Sequence, residues 1–135
     1  MSRFDELFAA AAAARANAYD KYSGFAVGAA VLGKDGKIYA GCNVENASFP
    51  EGWCAETTAL GKMICSGERE VAEVLVMADA ALCTPCGGCR QRLAEFASDD
   101  VVVHICDLSG LRKNYTIGEL LPARFVLEAG ESASA

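Results

Sequence analysis

Residues 71–90 read Val71-Ala72-Glu73-Val74-Leu75-Val76-Met77-Ala78-Asp79, then Ala80-Ala81-Leu82-Cys83-Thr84-Pro85, then Cys86-Gly87-Gly88-Cys89-Arg90. A run so nearly all apolar predicts a central strand covered on both faces. Cys83-Thr84-Pro85 predicts a loop, and residues 86–97 predict a helix with Leu93 and Phe96 turned inward. Val101 to Cys106 predicts a further strand. Downstream come a possible short edge strand near 115–117 and a helical turn from Ile117 to Leu121. The tail from Ala129 has nothing to bury.

Upstream, Phe4, Leu7, Phe8 and Ala11 fall at i, i+3, i+4 and i+7, which predicts an amphipathic helix over 3–19 with Ser2 as its cap. Tyr22-Ser23-Gly24 closes that segment. Phe25 to Leu32 and Lys37 to Val44 then predict two strands about an Asp35-Gly36 turn, where glycine accepts positive φ. Residues 45–53 form a loop rich in breakers. A second helix starts near Cys54, with Ala59, Leu60, Met63 and Ile64 as its apolar stripe and Gly67 as its C-cap. Helix, hairpin, helix, strand, helix, strand predicts an α/β fold: a three-layer α/β/α sandwich with a mixed central sheet of about five strands. We expect one domain over residues 1–128 and a disordered tail over 129–135.

Composition narrows the function classes. The 135 residues are 53% hydrophobic and 22% charged, enough apolar content for a single core. A formal net charge of −6 offers no general attraction to phosphate backbones or anionic lipid, so nucleic acid and membrane are not expected partners. The alanine run Ala9–Ala14 is too short to span a bilayer. Acids stand at Asp5 and Glu6, where a secretory signal needs basic and then apolar residues. Seven cysteines, an odd number, cannot all pair within the chain. A reducing, cytoplasmic compartment is expected, where clustered cysteines more often bind metal than form disulfides.

Two segments carry the chemistry: Cys54-Ala55-Glu56 and Pro85-Cys86-Gly87-Gly88-Cys89, each where a loop enters a helix. Cys86 and Cys89, three apart, turn both sulfurs toward one point, and Cys54 makes a third thiolate. Helix N-termini favour anions and lower thiol pKa, which suits zinc. Three protein ligands leave the fourth tetrahedral position open, as catalytic zinc requires. Glu56 stands beside the metal without ligating it, placed to move protons. A bare CxxC is a weak signal, and alone it fits buried cysteines or a closed zinc knuckle. Cys-Ala-Glu followed, after a gap of 28 residues, by Pro-Cys-x-x-Cys is specific, and it is the zinc deaminase pattern with Cys in place of His.

The chain resembles the small, homotetrameric cytidine deaminases. The likeness runs from about Tyr22 to Phe125. It rests on Tyr22-Ser23-x-Phe25-x-Val27-Gly28-Ala29-Ala30, Gly41-Cys42-Asn43-Val44-Glu45-Asn46-Ala47, the two zinc segments extended through Arg90-Gln91, and Glu119-Leu120-Leu121-Pro122-x-x-Phe125. The resemblance implies hydrolytic deamination of cytidine and 2′-deoxycytidine to uridine and 2′-deoxyuridine plus ammonia, in pyrimidine salvage. It implies one Zn²⁺ per subunit on Cys54, Cys86 and Cys89, with Glu56 as proton shuttle to N3 and the departing N4. It also implies that Asn43 and Glu45 hold the ribose 3′-hydroxyl, and that the Ala55 backbone N–H meets the base carbonyl. Phe25 would be an aromatic wall, and Phe125 would reach a neighbouring subunit's site in a homotetramer.

Two departures stand out. Relatives with three cysteine ligands often carry Arg directly after Cys-Ala-Glu, where this chain has Thr57. Helix N–H groups, the Thr57 hydroxyl or Arg90 would then offset the thiolate charge. Phe49 stands where relatives often have Tyr. His104, mid-strand between Val103 and Ile105, reads as structural, and Cys42, Cys65, Cys83 and Cys106 read as small buried hydrophobes. The runner-up activity is deamination of another aminopyrimidine nucleoside, such as a blasticidin-type antibiotic. A non-catalytic zinc scaffold is the reading from a different class, and it leaves Glu56 without a use.

Overall fold

The computed structural model describes residues 2–127. At its centre is β3 (Val71–Ala78), whose side chains are buried along almost its whole length, as its unbroken apolar run requires. It pairs antiparallel with β1 (Val27–Gly33) and parallel with β4 (Val102–Asp107). The outer strands are β2 (Ile38–Cys42), antiparallel to β1, and β5 (Gly110–Thr116), antiparallel to β4. The sheet order is β2-β1-β3-β4-β5, the mixed five-stranded sheet expected.

Strand alternation divides the core between two layers. Ala30, Leu75, Met77 and Cys106 face α1 (Phe4–Arg15), which seats Leu7 and Ala11 on them. Val31, Val74, Val76, Val103 and Ile105 face the other way, toward α2 (Ala55–Ser66) and α3 (Gly87–Phe96), which bring Ala59, Leu60, Met63 and Leu93. A short α4 (Ile117–Leu120), closed by a Thr116–Glu119 capping box, seals that second layer with Ile117 and Leu120.

Two glycines set how closely the layers approach. A Cβ on Gly28 would stand 2.1 Å from the Ala11 carbonyl oxygen of α1. One on Gly41 would stand 2.5 Å from the Ala59 nitrogen and 2.7 Å from the Ala55 oxygen of α2. The hairpin turn uses Gly36 at φ +82°, and Gly67 ends α2 at φ +103°, both in the region only glycine enters freely.

Several expectations change. The first helix ends at Arg15, not near residue 19, because Tyr19 leaves it to bridge Val44: the Tyr19 N–H donates to Asn43 O (3.0 Å) and Glu45 N–H to Tyr19 O (2.9 Å). Ser2 does not cap that helix; its hydroxyl donates to Glu73 at 2.6 Å. The edge strand is seven residues long rather than a short piece near 115–117. Its Arg112-Lys113-Asn114 stretch has the composition of a solvated edge, and only pairing with β4 makes it a strand. Of the four cysteines expected to be buried, Cys106 is; Cys42 and Cys83 are half-buried and Cys65 is exposed. All seven thiols are free. The expected tail, 129–135, lies outside the described residues.

Candidate active site

The N-termini of α2 and α3 point at one place. Cys54 is the N-cap of α2, Cys86 the N-cap of α3, and Cys89 sits in the first turn of α3. Their Sγ atoms lie within 4.8 Å of one another, with Cys54 and Cys86 3.7 Å apart. Among the described residues this is the one cluster of three such groups able to share a metal ion. A hydrogen bond with Cys89 pulls the Cys54 thiol down to about 6, against the opposing effect of burial. The same bond, with burial, pushes Cys89 up. Three soft sulfurs at two positive helix ends, one already inclined to be thiolate, form a donor set that fits zinc.

Glu56, in the first turn of α2, is only 4% exposed and does not join the sulfur cluster. Burial raises its carboxyl to about 7, and the Cys54 charge adds to that. The result is an acid able to take and release a proton near neutral pH.

A cavity of about 610 Å³ opens over these groups. Val27, Asn43, Glu45, Phe49, Trp53 and Ala55 are among its lining residues. The Asn43 side chain is held by backbone: its Oδ1 accepts from Val27 N–H (2.8 Å) and its Nδ2 donates to Phe25 O (2.9 Å). One amide hydrogen is left over for a ligand. Glu45 accepts from the N–H groups of Tyr22 (2.8 Å) and Ser23 (3.0 Å) and from the Ser23 hydroxyl. Those bonds, the Ser23 hydroxyl first, hold its carboxyl below the usual range, so it presents an anion to the cavity. Ala55 is the first residue of α2, where backbone N–H groups have no intrahelical acceptor.

Phe25 stands elsewhere than expected, and Phe125, expected at a neighbouring subunit's site, lies outside this chain's own cavity. Phe25 is not among the lining residues; it is 39% exposed, and its backbone rather than its ring serves the site by holding Asn43. Phe125 is 72% exposed and outside this cavity, with its carbonyl oxygen accepting from Gln91 Nε2 at 3.2 Å. The walls come instead from Tyr22, Phe49 and Trp53. Tyr22 and Phe49 meet edge to face at 6.1 Å, and Trp53 Nε1 donates to Thr58 Oγ1 at 2.8 Å. Sequence reasoning did not single out Trp53 for the site; the available signal was a large aromatic in a breaker-rich loop directly before Cys54. Cys83 also lines the cavity. His104 is remote from the sulfurs, its Nε2 donating to Glu73 (2.5 Å) and its Nδ1 facing the Asn114 amide at 2.6 Å.

Comparison with known proteins places this geometry. Residues 1–105 match the family model described as cytidine and deoxycytidylate deaminase zinc-binding region. A cytidine deaminase of Halalkalibacterium halodurans is 46% identical over 116 residues, covering 85% of this chain and 88% of its own. One of Sporosarcina psychrophila is 42% identical over 125 residues, covering 92% of each. The crystal structure of cytidine deaminase from Burkholderia pseudomallei superposes with a TM-score of 0.86 at 40% identity, over 93% of this chain and all of that one.

Proposed function

The chain belongs to the cytidine deaminase family, and from that premise we propose that it converts cytidine and 2′-deoxycytidine, with water, to uridine and 2′-deoxyuridine plus ammonia, using one zinc ion per chain. The observation that carries this reading is the buried Glu56 carboxyl beside three converging cysteine sulfurs, at the floor of a cavity walled by Asn43 and Glu45. Cys54, Cys86 and Cys89 would hold the zinc, which when bound supplies the Lewis acidity that makes water nucleophilic at neutral pH.

The remaining work falls to the chain's own groups. Glu56 takes a proton from the attacking water, gives it to N3 of the base, and carries the next to N4 so that ammonia leaves. The Ala55 N–H donates to the base carbonyl, which turns C4 toward the floor. Asn43 and Glu45 hold the 3′-hydroxyl, the carboxylate accepting and the spare amide hydrogen donating. Tyr22, Phe49 and Trp53 flank the base and keep bulk water away.

We also assign residues 1–128 to one domain and the protein to a cytoplasmic role in pyrimidine salvage; no helix among the described residues is long and apolar enough to cross a membrane. A homotetramer is proposed on exposed aromatics, Phe49 in the cavity lining at 76% and Phe125 outside it at 72%. Loss of nucleoside ultraviolet absorbance, followed with cytidine, 2′-deoxycytidine and free cytosine, tests the reading directly. Turnover of both nucleosides and little of the base is expected; no turnover of either nucleoside by the zinc-loaded protein overturns it.

A further inference from the structure

Three thiolates around a divalent ion leave one negative charge in excess, and strongly donating sulfurs weaken the metal as a Lewis acid. Arg90, the cation nearest in sequence, makes its hydrogen bonds elsewhere. Its Nε donates to Pro85 O (2.8 Å), and its two terminal nitrogens donate to Leu120 O (3.0 Å) and Thr84 Oγ1 (3.3 Å). It anchors the loop before α3 and the end of α4 and makes none of these contacts to sulfur. The Thr57 hydroxyl is buried with no partner.

Arg92 is placed differently. It lies one turn after Cys89 on the same face of α3, and its Nη1 stands 3.9 Å from Cys89 Sγ. The guanidinium rests over Gly88, where an added Cβ would meet Nη1 at 3.1 Å. A cation folded back toward a helix N-terminus opposes the macrodipole, and the sulfur cluster is the anionic partner that offsets this.

We propose that Arg92 is a positioning residue for the metal centre: its guanidinium, donating to the Cys89 thiolate, withdraws charge from that ligand and preserves the Lewis acidity of the bound metal. A thiolate hydrogen-bonded to a cation donates less electron density to its metal. The inference rests on Cys54, Cys86 and Cys89 being the ligand set.

Cobalt(II)-substituted protein tests both parts separately, because sulfur-to-cobalt charge transfer reports the electron richness of the thiolates. In Arg92→Gln the band should move to lower energy at unchanged cobalt content. In the zinc protein kcat should fall on the order of tenfold, the scale of one charge-assisted hydrogen bond, with KM for cytidine little changed. Arg92→Lys should recover most of both. Gly88→Val, which keeps Arg92 but fills the space beneath its guanidinium, should shift the band in the same direction as Arg92→Gln. An unmoved band in Arg92→Gln at full cobalt content overturns the role of Arg92 and leaves the ligand set standing. No charge-transfer band in the parent overturns the ligand set and this inference with it.

Discussion

Glu56 and Cys54 are two residues apart, yet the fold gives them opposite chemistry: burial raises the carboxyl, and hydrogen bonding to Cys89 lowers the thiol. Glu56→Gln keeps the shape and removes the carboxyl proposed to carry the protons. It should retain zinc and lose activity by at least about 10²–10⁴-fold, the usual worth of one general acid–base group. Metal analysis beside steady-state rates checks this, and activity within tenfold of the parent would take Glu56 out of the mechanism. Asn43→Ala and Glu45→Ala remove the two cavity-lining groups proposed to hold the sugar. Both should raise KM for cytidine, while any turnover of free cytosine should change little. Equal turnover of cytosine and cytidine by the parent would refute sugar recognition at these residues.

At the scale of elements, the metal cluster depends on two helices starting at the same point. Cys86→Ser and Cys89→Ser should lower zinc content and melting temperature together, because metal affinity is also folding free energy. Full zinc in both variants would show the ligands to lie elsewhere. The opposite layer is tied by a separate polar network. Glu73 of β3 accepts from Ser2 Oγ (2.6 Å), from His104 Nε2 of β4 (2.5 Å) and from the Arg3 N–H (3.5 Å), so the chain entering α1 is pinned to two strands. Burial alone would raise the Glu73 carboxyl, but the bonds from Ser2, His104 and Arg3 together hold it below its ordinary 4.5. A carboxyl lowered in the folded state stabilises the protein above its unfolded pKa, and that stability is lost as pH falls through the folded value. The melting-temperature gap between parent and Glu73→Gln should therefore be full at neutral pH and shrink progressively below about pH 4.5. Melts across that range check it; a gap that widens with acid would reverse the sign.

For the whole molecule, the feature that argues for assembly is its exposed aromatic surface. One chain leaves Tyr22, Phe49 and Trp53 exposed at the cavity and Phe25 and Phe125 exposed outside it, aromatic surface of the kind that marks an interaction face. Four copies of a 14.1 kDa chain should travel as a particle of about 56 kDa in light scattering, with dihedral symmetry the common arrangement. Phe125→Ala should raise KM more than it lowers the melting temperature. Mixing Phe125→Ala with Glu56→Gln subunits should restore part of the activity, since some sites would pair an intact Glu56 with a neighbour's Phe125. A fully active monomer at assay concentration would defeat the shared site.

The central strand, the helix starts at Cys54 and Cys86, the Asp35-Gly36 turn and the spacing of the metal-binding cysteines are all local patterns. Periodicity, caps and motif spacing act over a few residues, so these features could be read from the residues alone. Pairing is not local. Only the tertiary structure made a strand of the polar 110–116 segment, ended α1 early so that Tyr19 could bridge Val44, and sent Ser2 to Glu73 instead of to its own helix. The same holds for charge. Arg90 and Arg92 are two residues apart, and at about 100° per helix position they point about 200° apart around α3, which sends one to backbone carbonyls and Thr84 and the other to the Cys89 sulfur. Which cation meets the sulfur is decided by side-chain direction in the packed molecule, and no spacing rule contains that.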